Sequence, residues 1–583
     1  MKIGLEIHQR LDSHKLFCSC PSISEEGHPD TSLSRKLHPV LSELGEIDEV
    51  SKQEFSKDKS YEYQCFHSCD CLVDADEEPP HPMNNEALLI SLEICKQLGA
   101  RVVDEIHVMR KIVIDGSNTS GFQRTALIAM NGTIETSKGN ITLPFFSIEE
   151  ESSGIVGREG NKSTYRLDRL GVPLIELSTT PDIVDGDHLL EVAEKIGMVL
   201  RATGKVARGL GTIRQDVNIS TPNGARVEIK GAQDLKMLKT LVEIEEKRQN
   251  KLVQIYMKIK KDKRAVDFVD VSSLFSKTNS KMAASGLAKG ESALAILLPD
   301  MKGIPGTEIQ PGKRFGTELS EYAKTAGVKG IIHSDEDLSK YQFSEQEISG
   351  LRSRLGMKGN DAFAMVLANK EIARNALQNV IKRIGLGPVP EETRRANQDG
   401  TTTYMRPLPG RARLYPETDI PIITVDKQLL LQIEMSESLE QKKGRLEKML
   451  NKEMAAVMLK SRNLSLFEKL AKKSDPMLVA TTLENTIVSL RREGVEFAEL
   501  EVVLTDVFDA YEKGKFVKAA IPEVLKGISK GQTISEAVEK GGLGKITGAE
   551  LKKLVSGKSM AEVMAQYRLQ VDPAEVQKII SKK

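Results

Sequence analysis

The sequence predicts a multidomain α+β protein, with a β-rich N-terminal part, an α/β insert and an all-α C-terminal part. Three observations predict it. Up to about residue 263, short runs alternate apolar and polar residues, the period of a half-buried strand. Two apolar, strand-like runs separated by helical stretches occupy 264–393. From residue 426 almost everything reads as amphipathic helix.

In chain order, Ile3-Leu5-Ile7, Ile213-Val217-Ile219 and Val227-Ile229 mark strands of a first domain, 1–263. From Ala232 its pattern turns helical, with a stripe of Leu235, Leu238, Leu241, Val242 and Ile244 followed by the charged run EEKRQNK. The insert, 264–393, carries ALAILLP (Ala293–Pro299) and AFAMVLA (Ala362–Ala368) as strands. The loop-rich stretch Val389–Gly410 reads as a return linker, so that 394–425 rejoins the first domain. A helical domain, 426–510, and a tail domain, 511–583, follow, with breaks expected at Gly514 and at Gly541–Gly542.

A chain of 583 residues can bury its core without disulfide or metal staples. Lys+Arg and Asp+Glu both number 83, which excludes a histone-like polycation but hides local basic surfaces. One such surface is expected in the tail, where 14 Lys/Arg face 8 Asp/Glu. Trp is absent and aromatics are 4%, which argues against a binder that stacks many bases on aromatic platforms. No run approaches the roughly 18–20 apolar residues of a membrane span. MKIGLEIHQR lacks an apolar h-region, so no signal peptide is expected. Cys18, Cys20, Cys65, Cys69, Cys71 and Cys95 read as reduced thiols, with metal binding the exception.

The chemistry lies in what alternates with the apolar residues. Glu6 and His8 share one strand face; Arg214, Asp216 and Asn218 share another; Arg226, Glu228 and Lys230 a third. Glu176 ends an apolar run, and SIEEES puts Glu149, Glu150 and Glu151 in a row. A solvated sheet face scatters Lys, Thr, Ser and Glu without pattern. Carboxylates concentrated around one imidazole suit a hard divalent cation, Mg²⁺ first, and Arg214 and Lys230 beside them suit phosphate oxygens. GSNTSGFQ (Gly116–Gln123) has Gly-x₄-Gly spacing but no following lysine, so it is not a Walker loop. It still offers backbone N–H groups and the side chains of Ser117, Asn118 and Thr119 to a substrate. Cys18-x-Cys20 and Cys69-x-Cys71 lack the usual C-x₂-C zinc spacing and read as buried structural thiols. No Ser/His/Asp centre and no G-x-S-x-G appear.

IGLEIHQRLDSHKLFC, CLVDADEEPPHPMNNEAL, VMRKIVIDGSNTSGFQRT, YRLDRLGVPLIELSTTPDI, RGLGTIRQDVNIS, ARVEIKGAQ and MRPLPGRARLYPETDIPI resemble the GatB/GatE family, and within it the E subunits of archaeal glutamyl-tRNA(Gln) amidotransferases, relatives of the bacterial B subunit. The resemblance runs through the whole chain in order. It implies a carbon–nitrogen ligase that binds Glu-tRNA(Gln), phosphorylates the glutamyl γ-carboxylate with ATP and amidates it to Gln-tRNA(Gln). The ammonia would come through a tunnel from an asparaginase-like D subunit, in a heterotetramer of two D and two E subunits in the cytoplasm. The implied fold is a cradle, an insert like that of bacterial aspartyl-tRNA synthetases, a helical domain and a tRNA-binding tail.

Carried over by motif, the resemblance implies Mg²⁺ ligands at Glu6, His8, Glu150, Asp216 and Glu228, with Glu176 a further ligand or support. Glu149 is the alternative to Glu150, because parity is open in a run of three. Arg214 and Lys230 would steady the transferring phosphate. The bacterial relatives pair the KLFC cysteines with a later C-x₂-C to hold zinc. Here that stretch has no cysteine, and Cys69 and Cys71 would have to stand in beside Cys18 and Cys20. Two rival readings are a non-catalytic tRNA-binding scaffold and a free-standing ligase acting on a small carboxylate.

Overall fold

The computed structural model describes residues 1–583 except 42–44, 48, 56, 260–265, 409–412, 462, 498 and 582–583. The domain boundary expected at 263/264, and part of the MRPLPGRAR motif, lie outside the described residues. The chain forms two compact units, Met1–Met435 and Ser436–Lys583.

The first unit is built on an 11-stranded sheet. Its order is Thr402–Pro407, Glu392–Ala396, Val227–Lys230, Ile213–Ser220, Lys2–Arg10, Pro173–Ser178, Gly139–Glu150, Phe122–Thr136, Val108–Ile112 and Leu414–Pro416, with Arg101–Val102 pairing at the side. The period-two segments are strands as expected, and Ile3, Leu5, Ile7, Val217, Ile219, Val227 and Ile229 turn to the core. Each fully buried Leu, Ile or Val contributes about 1.5–3 kcal/mol. The helices Gly186–Ala202 and Leu235–Lys258 pack under this face, capped by the Asp185 and Asp234 carboxylates on their first backbone N–H groups. A second sheet of Thr31–Arg35, Ser60–Cys65, Lys162–Arg166 and Gly154–Glu159 has its own core of Tyr61, Tyr63, Tyr165 and Leu167.

Ala293–Pro299 and Ala362–Ala368 form antiparallel neighbours, Ser292–Leu298 and Ala362–Ala368, in a four-stranded sheet with a separate core around Phe275, Phe343 and Phe363. This insert stays within the first unit, and its root is ionic. Arg248 and Glu245 of the long helix, Glu318 and Arg383 of the insert, and Glu392 and Arg394 of the return strand are all essentially inaccessible to water. Glu318 takes Arg248 at 2.6 Å and Arg383 at 2.5 Å, and Arg394 pairs with Glu392 at 2.5 Å and Glu321 at 3.2 Å. Lys313 completes the set on Glu321 at 3.2 Å, and the Tyr322 hydroxyl donates to Glu392. The charged run EEKRQNK therefore turns Arg248 and Gln249 inward rather than to water. The return strand Glu392–Ala396 pairs parallel with Val227–Lys230, so the chain leaves for the insert and comes back within one sheet edge.

The second unit is all helix. One core runs from Leu446 to Leu543, and a smaller cluster from Leu551 to Val576 closes the end. The region expected to be helical from 426 separates as a unit only at Ser436; the helix Lys427–Leu431 belongs to the first unit. Gly514 and Gly541–Gly542 end helices as expected, Gly514 and Gly542 at positive φ. Among the described residues, no helix is long and apolar enough to cross a membrane.

Candidate functional site

The face opposite the core carries the candidate chemistry. Register decides which groups meet, because directly paired residues of antiparallel strands project to the same side. Glu6 pairs with Asp216, Asn218 with Glu228, and His8 with Arg214 on one flank and Glu176 on the other. Four strands thus lay Glu176, His8, Glu6, Asp216 and Glu228 across one surface.

Two clusters result. In the first, carboxylate oxygens of Glu6, Asp216 and Glu228 lie within 4.8 Å of one another. Lys230 reaches Asp216 and Glu228 at 2.7 Å each, and Asn218 donates to Glu6 at 2.9 Å. Thr393 donates to Glu228 at 2.8 Å, and the Gly231 N–H to Asp216 at 3.2 Å. Burial, followed by repulsion from Glu176 and Glu228, pushes the Glu6 carboxyl up to about 7. Burial works against the Lys230 ammonium, but Asp216 and Glu228 outweigh it and hold its pKa above the usual lysine range. Three acids thus share one internal cation, and Glu6 bears the remaining repulsion.

In the second cluster, His8 Nε2 lies 3.4 Å from Glu149 and 3.6 Å from Glu176. Lys111 sits on Glu149 at 2.9 Å. Burial disfavours the Glu149 carboxylate, but Lys111 and His8 hold its pKa down to about 2.

The parity of SIEEES is now fixed. Ser147 pairs with Glu176, so Glu149, two residues on, faces His8. Glu150, expected as the ligand with Glu149 as its alternative, points to the other side. There it accepts the Arg124 N–H at 3.0 Å and meets the guanidinium at 3.4 Å, while Arg124 also bonds Glu417 at 2.8 Å. Glu176 stands in direct contact with His8 rather than behind it.

The loop Ser117-Asn118-Thr119 is tied into a neighbouring corner. Gly116, at φ +90°, presses against Tyr61, whose ring lies 2.2 Å from where a Cβ would stand. The Ser117 carbonyl accepts from the Ser153 N–H and hydroxyl at 2.9 and 2.6 Å, and Ser152 donates to Asn118 at 3.2 Å. Thr119 donates to the Asp74 carbonyl at 2.7 Å, and Asn118 and Thr119 are both buried. These two side chains therefore brace the corner rather than facing solvent.

That corner gathers Cys18, Cys20, Cys71 and Asp74 within 4.8 Å. Three of these four are the cysteines expected together; Asp74 stands where Cys69 was expected, and Cys69 is buried elsewhere. A hydrogen bond from Cys18 draws the Cys71 thiol down to about 5, against its burial. Burial, opposed by Lys15, pushes Asp74 up to about 7. Lys15, itself inaccessible, lies 3.1 Å from Asp74 and 2.9 Å from Asp70.

Arg214 does not reach into the acid cluster. It lies 2.7 Å from the buried Glu151, which also takes Arg10 at 3.0 Å and Arg169 at 3.8 Å. Sequence reasoning missed Arg10 and Arg169. Arg10 was findable, since it follows His8 by two on the same strand face.

A family model described as GatB/GatE catalytic domain matches residues 1–431. The chain is 45% identical over 574 residues to the E subunit of the glutamyl-tRNA(Gln) amidotransferase of Methanocaldococcus jannaschii, covering 96% of this chain and 91% of that protein. It is 42% identical to the E subunit of the Archaeoglobus fulgidus amidotransferase (98% and 96% covered) and 43% to that of Pyrococcus furiosus (97% and 91% covered).

Proposed function

The chain belongs to the GatB/GatE family, and from that premise we propose that it is the tRNA-binding, ATP-using subunit that converts Glu-tRNA(Gln) to Gln-tRNA(Gln). A γ-carboxylate oxygen attacks the γ-phosphorus of ATP, and ADP leaves with the electrons of the broken P–O bond. Ammonia then attacks the acyl carbon of the glutamyl phosphate. The C–O bond breaks, and inorganic phosphate departs carrying the proton shed by nitrogen. The first step is needed because a carboxylate offers ammonia no adequate leaving group, and water must be kept from the acyl phosphate.

The observation that carries this reading is the acid excess on one sheet face: among the described residues, five carboxylates, Glu6, Glu149, Glu176, Asp216 and Glu228, are in contact with Lys111, Lys230 and one imidazole, with Arg214 acting on Glu149 from alongside. Oxygen donors with one histidine fit magnesium, which when bound neutralises phosphate oxygens. Glu6, Asp216 and Glu228 would hold one ion, and His8, Glu149 and Glu176 another. Lys230, tethered between two acids, stands ready to turn to the transferring phosphoryl group. Three sulfurs and one carboxylate fit zinc, so Cys18, Cys20, Cys71 and Asp74 would hold a structural ion away from the chemistry. An asparaginase-like D subunit supplying ammonia, a two-D, two-E assembly, a tail that meets tRNA phosphates, and a cytoplasmic setting complete the reading. Tail contact with phosphates makes tRNA binding steeply salt-dependent.

The test follows the γ-phosphate of labelled ATP with the purified chain, Mg²⁺ and Glu-tRNA(Gln), with no partner and no ammonia. Label on the esterified glutamate, or phosphate released only with the charged tRNA, is the expected result. Silence that persists after the partner and free ammonia are added overturns it and leaves a tRNA-binding scaffold.

A further inference from the structure

We propose that Arg10, Arg169 and Arg214, gathered on the buried carboxylate of Glu151, form the seat for the polyphosphate chain of the nucleotide. The proposal rests on the ATP-using reading above; to the phosphate role that the resemblance implies for Arg214 it adds Arg10 and Arg169 and their shared anchor Glu151.

Three observations lead to it. First, three guanidinium groups share one carboxylate, at 3.0, 3.8 and 2.7 Å. Glu151 is 1% exposed, whereas the arginines are 21%, 39% and 32% exposed, so the anchor is buried and the cationic heads reach solvent. Crowding shows on Arg169, whose pKa is lowered by burial and by repulsion from Arg214 and Arg10. An anion would relieve that excess of positive charge.

Second, the seat adjoins the acid face in register. Arg10 lies two residues beyond His8 on the same strand face, and Arg214 is the cross-strand partner of His8. Along the strand, Arg10, His8 and Glu6 span roughly 13 Å at about 3.3 Å per residue. One end of this line attracts oxyanions and the other divalent cations, the polarity that a metal-bound triphosphate carries. A single phosphodiester of an RNA end, with one negative charge, would leave half of the seat's net charge, three guanidinium groups against one carboxylate, unneutralised.

Third, the seat has a backbone wall. Arg169 donates to the Ser152 and Ser153 carbonyls at 2.9 and 3.4 Å, and the same two serines bond the Ser117-Asn118 turn. The glycine-bearing turn is thereby fixed against the arginines, although its own side chains are engaged elsewhere.

The experiment measures equilibrium binding of ATP, adenosine and inorganic tripolyphosphate to the full chain in Mg²⁺. It uses Arg10→Gln, Arg169→Gln and Arg169→Lys, and adds KM values for ATP and Glu-tRNA(Gln) in the assembled enzyme. One lost charge-assisted contact should weaken ATP and tripolyphosphate binding about 10- to 100-fold. Adenosine binding and the KM for tRNA should stay unchanged, and Arg169→Lys should recover part of the loss. Thermal unfolding of each variant separates misfolding from lost binding, and Arg10→Gln carries the test if Arg169→Gln is unstable. A raised KM for tRNA with unchanged ATP binding overturns the proposal and assigns the seat to an RNA phosphate. No change in either overturns it and leaves the arginines as struts for Glu151. Wild-type protein that binds neither ATP nor tripolyphosphate overturns the underlying reading itself, a result distinct from both.

Discussion

Two regions of the first unit concentrate charge in opposite ways. At the insert root, Arg248, Arg383, Arg394 and Lys313 meet Glu245, Glu318, Glu321 and Glu392, four cations on four carboxylates, nearly all of them hidden from water. On the sheet face, five carboxylates meet two lysines and one imidazole, and burial, followed by repulsion from Glu176 and Glu228, pushes Glu6 up to about 7. The root is saturated: every charge has its partner, so there is nothing left for a ligand to do. The face is unsaturated: its folded state is short of positive charge, which a proton on Glu6 or a bound cation can make good. Buried charge alone therefore does not mark a site; the mismatch between acids and bases does.

The comparison can be broken at four points. The largest effect is expected at the root. Glu318→Gln takes a shared carboxylate from Arg248 and Arg394, leaves Arg383 with no ion-pair partner among the described residues, and should lower unfolding stability by about 3–5 kcal/mol, the cost of removing one partner of a buried pair, as read by denaturant titration. A loss under about 1 kcal/mol would mean the root is hydrated and not saturated. On the face, Glu6→Gln should do the reverse. Amidation in the assembled enzyme should fall about 100-fold or more, while the unfolding midpoint holds or rises, because repulsion is relieved. A fall in stability would sink the idea of an acid excess.

The two regions should also differ in pH dependence. Burial disfavours the Glu318 carboxylate, but Arg248, Arg383 and Arg394 hold its pKa well below the usual range. The stability it contributes is complete above about pH 4.3 and is lost as pH falls through its folded value. Glu6 has the opposite sign. Its folded pKa of about 7 exceeds the unfolded value, so the native state keeps a proton that the unfolded chain has released. Without divalent cations, stability should decline from about pH 4.3 to 7, and millimolar Mg²⁺ should flatten that slope in melts at matched ionic strength. The smallest effect concerns the cysteine corner. Cys71→Ser should remove about one equivalent of zinc measured by atomic emission, whereas Cys69→Ser should remove none.

Much of this was legible in the sequence, and the limits have physical causes. Period two exposed the strands Lys2–Arg10, Ile213–Ser220 and Val227–Lys230 and the acids on their outer faces. Parity at Glu149–Glu151 was left open because the three carboxylates were read by themselves; Phe146 and Ile148 just before them mark the core side and put Glu149 on the other face, as the pairing with Pro173–Ser178 shows. Asp74 was passed over because its nearness to Cys18 and Cys20 depends on long-range folding. Arg169 lies within the quoted motif YRLDRLGVPLIELSTTPDI, but its meeting with Arg10 and Arg214 joins segments far apart in the sequence, which no local pattern shows. The buried root was hidden in a charged helix whose polar residues looked like any solvated face.

The ionic root also bears on how the chain is made. The long helix with Glu245 and Arg248 is synthesised well before the insert helices that carry Glu318 and Arg383, and the return strand with Glu392 and Arg394 comes last. A growing chain therefore waits with part of a joint exposed. Because that part is written in carboxylates and guanidinium groups, it stays hydrated until its partners arrive, where an apolar joint would have offered a sticky patch to neighbouring nascent chains. The final docking exchanges water for opposite charge, so a half-made molecule is protected from aggregation by the same residues that later lock the insert in place.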